Sequence, residues 1–192
     1  YNNKFLGTIG DIGCFSFFPT KTLGAYGDGG AITTDNKKLA DRARMLKNHG
    51  ASRKYFNEII GYNSRLDSIQ ASFLSMKLKK MTEFISLRKK AGNFYNKILE
   101  KNENLIIVDN HESSFNYYSI VLKNGDRDEL QNYLNEEGVS TAIYYPKTLP
   151  SLPAHNVTKK FPNAEFLSKN ILSIPIFPSV SYTHLTLPTS DL

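Results

Sequence analysis

The chain has 192 residues, 40% of them hydrophobic and 22% charged, which is typical of a globular protein and excludes an intrinsically disordered one. Its net charge of +6 is spread over stretches such as 37–54 and 77–101, which favours solvated helix faces over a nucleic-acid-binding surface. The single cysteine, Cys14, excludes an intrachain disulfide, favours a reducing cytoplasm and, within an apolar run, is interpreted as a core residue.

Two short strands are predicted near the beginning of the chain. The stretch "GCFSF" (13–17) alternates and is aromatic, and "GGAITT" (29–34) reads as the next strand. Between them Pro19 and several glycines break regular structure. Lys21 is therefore predicted to lie in a loop.

A helix is predicted after the second strand. Asp35 or Asn36 is suited to cap its first turn, and the helix is expected to run to about Asn48. Gly50 then occupies the usual stop position, where glycine tolerates a left-handed backbone.

Two further helices are predicted in series. The first lies within 61–81, where Ser64 and Asp67 resemble a capping box, and the second covers 83–101. Both have apolar residues at helical spacing. Together they are interpreted as a long bridge between two domains.

The pattern changes after Asn102 to short strands and helices with short connections. Strands are predicted at 105–109, 115–122 and 139–145, helices at 126–138 and about 163–170, and a final strand within 171–177. This mixture indicates a small α+β domain.

Lys21 admits two interpretations from the residues alone. A surface lysine has a pKa near ~10.4 and is a poor nucleophile, whereas a lysine held in apolar surroundings can expose a reactive amine. Phe15, Phe17 and Phe18 would supply such surroundings, and Ser16 offers a hydroxyl for a phosphate. Composition and spacing by themselves favour a plain loop lysine over a covalent catalyst.

Other phosphate and metal sites do not fit the spacing. The glycines follow Lys21 instead of preceding it, unlike those of a P-loop, and "GAYGDGG" has glycines at the wrong offsets for a dinucleotide-binding turn. The four histidines are scattered, and no His, Cys, Asp or Glu cluster has metal-ligand spacing. No resident metal is therefore expected.

Three motifs in order resemble one known family. "CFSFFPTKTLGAYGDGGAITT", "KNHG" and "GYNSRLDSIQASFLSMKL" look like the pyridoxal-phosphate-dependent sugar aminotransferases of the DegT/DnrJ/EryC1/StrS family. The resemblance runs from about Gly10 through Pro178 and is most specific in 13–31 and 61–78. It implies an α/β chain that forms the C-terminal part of a fold-type I PLP-dependent transferase.

The resemblance also implies roles for five residues. Lys21 would carry pyridoxal 5'-phosphate as a Schiff base and move protons, and Ser16 would hydrogen-bond the cofactor phosphate. Asn63 would reach the cofactor phosphate of the neighbouring subunit. Arg65 would anchor a carboxylate or a sugar-nucleotide group, with an ion pair at the helix start as the alternative. Tyr145, in "YYP", would line the substrate pocket, with core packing as the alternative.

The implied reaction moves an amino group, with glutamate as the expected donor, to a nucleotide-linked keto-sugar for amino-sugar or surface-polysaccharide synthesis. Family members that act as dehydratases carry histidine where this chain has Lys21, so the lysine favours transamination. The resemblance further implies a homodimer with shared active sites, and the single cysteine favours a cytoplasmic location. A membrane is not expected as a partner, since no apolar run approaches the ~18 residues of a membrane span. Nucleic acid is not expected either, because the positive charge is spread along the chain.

The resemblance implies that the chain is a fragment lacking the N-terminal half of the enzyme. Residues 1–81 would be the C-terminal part of the large PLP-binding domain, 82–102 a bridging helix and 103–179 the small α+β domain. The acidic partner of the pyridine nitrogen would precede Tyr1, so the 192 residues are not expected to be active alone. Val180–Leu192 resembles a translated sequencing adaptor and is interpreted as a non-native tail, with a native polar tail as the alternative.

Two other classes of function compete with the enzyme. The first is a non-catalytic regulatory or binding protein that keeps the same fold. The second is a basic nucleic-acid-binding module, which the spread of the positive charge disfavours.

Overall fold

The computed structural model describes residues 2–108, 113–155, 157 and 159–178. The chain divides between Met81 and Thr82 into two compact units. The expected adaptor-derived tail, 180–192, lies outside the described residues. The functional identities given to 1–81, 82–102 and 103–179 stay predictions.

The first unit begins with a ribbon of two antiparallel strands, β1 (Gly13–Ser16) and β2 (Gly30–Thr33). Gly13 pairs with Thr33 and Ser16 pairs with Gly30. Both strands were predicted from the sequence. The register places the beginning and the end of the intervening loop side by side.

Helix α1 (Lys37–Lys47) follows the ribbon and begins as predicted. The side chain of Asn36 accepts hydrogen bonds from the amides of Lys38 and Leu39, which satisfies two donors that the first turn leaves open. After the helix, Gly50 has a φ of +76° and its N–H donates to Met45 O at 2.8 Å. Gly50 therefore fills the predicted stop position.

The next segment was only partly anticipated. Strands β3 (Ala51–Arg53) and β4 (Phe56–Asn57) form a short irregular hairpin that the sequence did not predict. The chain then runs along the end of α1, where Tyr62 N–H donates to Leu46 O at 2.7 Å. Because these residues are already hydrogen-bonded to α1, helical structure begins later than Ser64.

Helices α2 (Ser68–Leu78) and α3 (Met81–Leu99) lie in series, as predicted. The predicted capping box at Ser64 is wrong, because Asp67 is the N-cap and its side chain makes no capping hydrogen bond. The bridging role assigned to 82–102 is a prediction, and α3 supplies Ala91 and Tyr95 to the core of the second unit.

The second unit has an antiparallel sheet in the order β5 (Leu105–Ile107), β6 (Tyr118–Leu122) and β7 (Ile171–Ile174). Helices α4 (Arg127–Glu136) and α5 (Pro162–Asn170) complete its main elements. The strand predicted at 139–145 is wrong, since only Ala142 forms a bridge, with Ser173. Val139 N–H donates to Leu134 O at 2.7 Å, so the beginning of this stretch is bonded to the end of α4 and not to a strand.

The core of the second unit lies between α3 and the central strand β6. Its buried members are Ala91, Tyr95, Phe115, Tyr118, Ile120, Leu172 and Ile176. The guanidinium of Arg88 is buried beside them, and its Nη1 donates to the carbonyl oxygens of Phe115 at 3.0 Å and Ile176 at 2.8 Å. These bonds compensate in part for removing the charge from water.

The first unit leaves more of its apolar side chains exposed than the second unit does. Cys14, interpreted as a core residue, is exposed and lines an open groove of about 820 Å³ together with residues of β2 and α1. In β1 only Gly13 is buried, so the apolar run around Cys14 lies exposed instead of in a core. Three apolar side chains of α2, Ile69, Phe73 and Met76, are likewise exposed.

Among the described residues, no helix combines the length and the apolar character needed to cross a bilayer. The same part of the chain contains no group of three or more His, Cys, Asp or Glu side chains that could hold a metal ion.

Candidate functional site

The loop that carries Lys21 is closed by hydrogen bonds at its base. Phe17 N–H donates to Gly29 O at 2.8 Å, and Phe17 O accepts the N–H of Ala25, also at 2.8 Å. Phe17, the residue that follows β1, thus bonds both to the later part of the loop and to the residue before β2. This arrangement holds the loop between the strands in a defined path.

Ser16 and Lys21 are brought together at the C-terminal end of β1. Lys21 N–H donates to Phe18 O at 2.9 Å, which closes a tight turn, and Phe18 N–H donates to Ser16 Oγ at 3.3 Å. Lys21 is half-buried, whereas Ser16 is exposed. The turn therefore presents a primary amine and a hydroxyl at one end of the ribbon.

Gly24 is required by the closeness of this turn. A Cβ added to Gly24 would lie 2.3 Å from Pro19 O and 3.0 Å from Lys21 O, closer than a real side chain allows. At the other end of the loop, a Cβ on Gly29 would lie 3.1 Å from Leu66 Cδ1. Leu66 thus ties the segment before α2 to the loop.

Asn63 and Arg65 lie on that segment, against the C-terminal end of α1. Asn63 forms an antiparallel bridge with Asn48, and Arg65 Nη1 donates to Asn48 Oδ1 at 3.0 Å. Both side chains are exposed. In the described part of the chain Arg65 therefore bonds an amide, and the alternative of an ion pair at the helix start is not what the structure contains.

Tyr145 belongs to the second unit and not to the unit that contains Lys21. It is 66% exposed, which excludes the core-packing alternative for this residue. Its ring meets that of Tyr144 at 5.6 Å between centroids, and Tyr144 in turn lies 4.3 Å from the ring of Tyr117. Tyr145 also lines an open groove of about 400 Å³ with residues that include Leu149.

The side chains of the first unit suit pyridoxal phosphate by their chemistry. An amine on Lys21 can condense with an aldehyde, and the Ser16 hydroxyl and the Asn63 amide can donate to phosphate oxygens. Ser16 Oγ accepts the Phe18 N–H, so its own proton is available for donation. The described residues thus fit the cofactor, and their individual roles stay predictions.

Two residues of α2 contact the lysine loop and were missed in the sequence. Gln70 binds the backbone of Tyr26, and Lys77 binds the backbone of Gly24. Their spacing of seven places both on one side of a helix, which was the available signal. Nothing in the local sequence says which side chains face the loop.

Comparison with known proteins gives a family match over nearly the whole chain. A family model described as the DegT/DnrJ/EryC1/StrS aminotransferase family matches residues 1–186. The chain is 38% identical over 187 residues to the "Pleiotropic regulatory protein" of Geobacillus stearothermophilus, covering 94% of this chain and 50% of the relative. It is 36% identical to the "UDP-N-acetyl-3-dehydro-alpha-D-glucosamine 3-aminotranferase" of Acidithiobacillus ferrooxidans, covering 93% of this chain and 49% of the relative.

A solved structure gives the same result for the fold. The X-ray structure of S. venezuelae DesV in complex with a ketimine intermediate has a TM-score of 0.88 and 31% identity, over 96% of this chain and 51% of DesV. The resemblance and the fold class predicted from the sequence are confirmed. The chain spans about half the length of the curated relatives it matches.

Proposed function

The chain belongs to the DegT/DnrJ/EryC1/StrS aminotransferase family, and on that premise we propose that it supplies the catalytic lysine of a pyridoxal-phosphate-dependent sugar aminotransferase. The proposed reaction moves an amino group, with glutamate as donor, to a nucleotide-linked keto-sugar. Support for this substrate class comes from the relative in Acidithiobacillus ferrooxidans, whose name describes an aminotransferase acting on a UDP-linked dehydro sugar.

The observation that carries the proposal is the turn that joins Ser16 to Lys21. It holds an amine and a hydroxyl at one end of a strand, in a loop closed at its base. When bound, pyridoxal phosphate supplies the electron sink for amino-group transfer. Lys21 Nζ would hold the cofactor covalently between turnovers and, once released, would carry a proton to and from the reacting carbon.

The other predicted residues would bind and orient. Ser16 Oγ would donate its proton to the cofactor phosphate, and the Asn63 amide would donate to the phosphate in the partner subunit of a homodimer. A guanidinium presents several donors in a planar fork, so Arg65 can bond Asn48 and an anionic group of the substrate together. Tyr145 would contribute an exposed ring to the substrate pocket.

The 192 residues alone are proposed to be inactive. The chain spans about half the length of its curated relatives, and the first unit leaves apolar side chains of α2 uncovered. Activity is therefore expected from the protein expressed from its complete gene, in the cytoplasm, and from a dimer in which each site uses both subunits.

The covalent role of Lys21 can be tested by titrating that protein with pyridoxal phosphate. Wild-type protein should gain visible absorbance, and reduction with borohydride should fix the added mass on the peptide that contains Lys21. Lys21→Ala should lose the absorbance, the fixed mass and all measurable amino transfer. Lys38→Ala removes an exposed lysine of α1 and should behave as wild type. A variant Lys21→Ala that keeps both absorbance and turnover would rule out the assignment.

A second candidate function is supported by a relative's name. The Geobacillus stearothermophilus relative is called a regulatory protein, so a non-catalytic role on the same fold is the competing proposal. Transfer of an amino group from glutamate to a nucleotide-linked keto-sugar by the complete protein would decide for the enzyme. Cofactor-free protein that neither binds pyridoxal phosphate nor transfers the group would decide for regulation.

A further inference from the structure

One face of α2 contacts the loop that carries the candidate catalytic lysine. Gln70, Phe73 and Lys77 are spaced three and then four residues apart, which places them along one side of the helix. All three contact Tyr26 or the neighbouring Gly24. The face is therefore organised around one short stretch of the loop.

The two polar side chains of this face bind main-chain atoms. Gln70 Oε1 accepts the N–H of Tyr26 at 2.8 Å, and Lys77 Nζ donates to Gly24 O at 2.6 Å. The Lys77 ammonium also lies 4.2 Å from the centroid of the Tyr26 ring, and the Phe73 ring meets the same ring edge-on at 4.8 Å. Because backbone groups are held directly, these bonds fix the path of the loop itself.

The held stretch is mechanically coupled to Lys21. Gly24 follows Lys21 by three residues and packs so closely against the turn that a Cβ on Gly24 would lie 2.3 Å from Pro19 O. Immediately beyond it, Ala25 N–H donates to Phe17 O at 2.8 Å. Gly24 therefore packs directly against the turn of Lys21, and a displacement of Gly24 is expected to shift the main chain of that turn.

We propose that Gln70 and Lys77 are positioning residues that set the place of the Lys21 amine by clamping residues 24–27 to α2. The inference rests on the proposed function and adds to it two residues that act through the loop backbone. Since Gln70 is used as an acceptor and Lys77 as a cationic donor, Gln70→Glu and Lys77→Arg keep the required group. Apolar replacements of similar size do not.

The clamp is tested first without cofactor, on the protein expressed from its complete gene. Amide hydrogen exchange of residues 24–27 should be at least about tenfold faster in Gln70→Leu and Lys77→Met than in wild type. Gln70→Leu removes the acceptor of the Tyr26 N–H, and Lys77→Met removes the donor that holds the main chain at Gly24. Gln70→Glu and Lys77→Arg should stay near wild type. Lys80→Met, which removes an exposed charge just beyond α2, is the matched control and should change nothing.

The positioning role is tested next by the rate at which pyridoxal phosphate attaches to Lys21, followed by visible absorbance across a range of pH. Gln70→Leu and Lys77→Met should attach it at least about tenfold more slowly, with recovery in the two conservative variants. Unchanged exchange in both apolar variants would show that no clamp exists. Faster exchange with an unchanged attachment rate and pH profile would reduce the contacts to a structural role and overturn the proposal.

These outcomes separate the clamp from the function on which it depends. If wild-type protein never attaches the cofactor at Lys21, the proposed function fails, and the positioning role falls with it. If wild type attaches the cofactor and the apolar variants attach it equally fast, only the positioning role fails.

Discussion

At the scale of single residues, Arg88 is a buried cation bound to main-chain carbonyls. Its Nη1 donates to three carbonyl oxygens, and among the described residues its buried Nε has no hydrogen-bond partner. Burial lowers the pKa of Arg88, because the apolar surroundings disfavour its charge. The buried charge is therefore stabilised by those carbonyl oxygens, and Arg88 in turn supplies their hydrogen-bond donor.

Arg88→Met should destabilise the second unit by about 3 kcal/mol, because it removes hydrogen bonds from a charged donor to buried acceptors. The stability of Arg88→Lys should lie between those of wild type and Arg88→Met, since one ammonium cannot reach all the carbonyl oxygens that Arg88 binds. The measurement is the opening free energy of the Tyr118–Leu122 amides from native-state hydrogen exchange. Lys90→Met, an exposed change on the same helix, is the control, and an equal effect there would contradict the role of Arg88.

The buried hydroxyl of Tyr95 is expected to make the folded state less stable at alkaline pH. Its hydroxyl donates to Pro175 O at 2.9 Å, and burial raises its pKa from 10.0 to about 12. The folded state thus holds the phenol proton more tightly than the unfolded state, so its contribution to stability is complete below pH 10 and is lost as pH rises from about 10 to about 12. Tyr95→Phe should lack this added loss in alkaline unfolding curves.

The matched change Tyr133→Phe, at an exposed ring of α4, should leave the alkaline loss as it is in wild type. Identical curves for wild type and Tyr95→Phe between pH 10 and 12 would show that Tyr95 is not responsible.

At the scale of elements, α3 depends on a glycine in its middle. A Cβ on Gly92 would lie 2.9 Å from the Phe115 ring, which is itself buried. Gly92→Ala should gain about 1 kcal/mol of helix propensity but lose more by overpacking, for a net loss of about 1–2 kcal/mol. Hydrogen exchange in α3 measures it. Asn93→Ala, at the exposed neighbour, should stabilise the helix, and a stabilising Gly92→Ala would refute the packing argument.

Elements with strong local signals were predictable from the sequence. Helix α1 has a capping asparagine, an amphipathic stretch and a glycine stop, and all three act as the sequence indicates. The beginning of α2 was not predictable, because Tyr62 and Ser64 bond to the end of α1. Those bonds join residues about sixteen positions apart, and no local pattern encodes them.

The candidate site shows the same division. Pro19 and Gly24 break regular secondary structure, which predicted that Lys21 lies in a loop, and the structure confirms this. The role of Lys21 came from the family resemblance and stays a prediction. The contacts of Gln70 and Lys77 depend on which face of α2 meets the loop, and that face is selected by tertiary packing.

At the scale of the whole molecule, the two units differ in how much apolar surface they bury. In the described part of the chain, the buried hydrophobic residues of the first unit are Ala25 and Leu74, whereas the remaining ones lie in the second unit. The first unit contains the candidate lysine turn, so the site is expected to need further protein around it. The proposed homodimer with shared sites would supply part of this surrounding protein.

The shared-site proposal predicts complementation between two inactive variants. Lys21→Ala and Asn63→Ala should each lose amino transfer, since each removes one part of every site. After subunits are mixed and allowed to exchange, heterodimers should hold one intact site, giving up to about a quarter of wild-type turnover. A mixture of Lys21→Ala with Lys38→Ala is the control, and it should be active because Lys38→Ala behaves as wild type. No recovery in exchanged mixtures would place Asn63 in the same subunit's site.

Because β1 pairs only with β2 in the described part of the chain, both strands have an open edge that favours aggregation. In the described part of the chain the two strands form a two-stranded sheet, so each keeps one row of backbone N–H and C=O groups unsatisfied by a neighbouring strand. Neither "GCFS" nor "GAIT" carries the charge or proline that usually blocks edge-to-edge addition. A preparation of the 192 residues alone will therefore tend to self-associate through these edges and aggregate as its concentration rises.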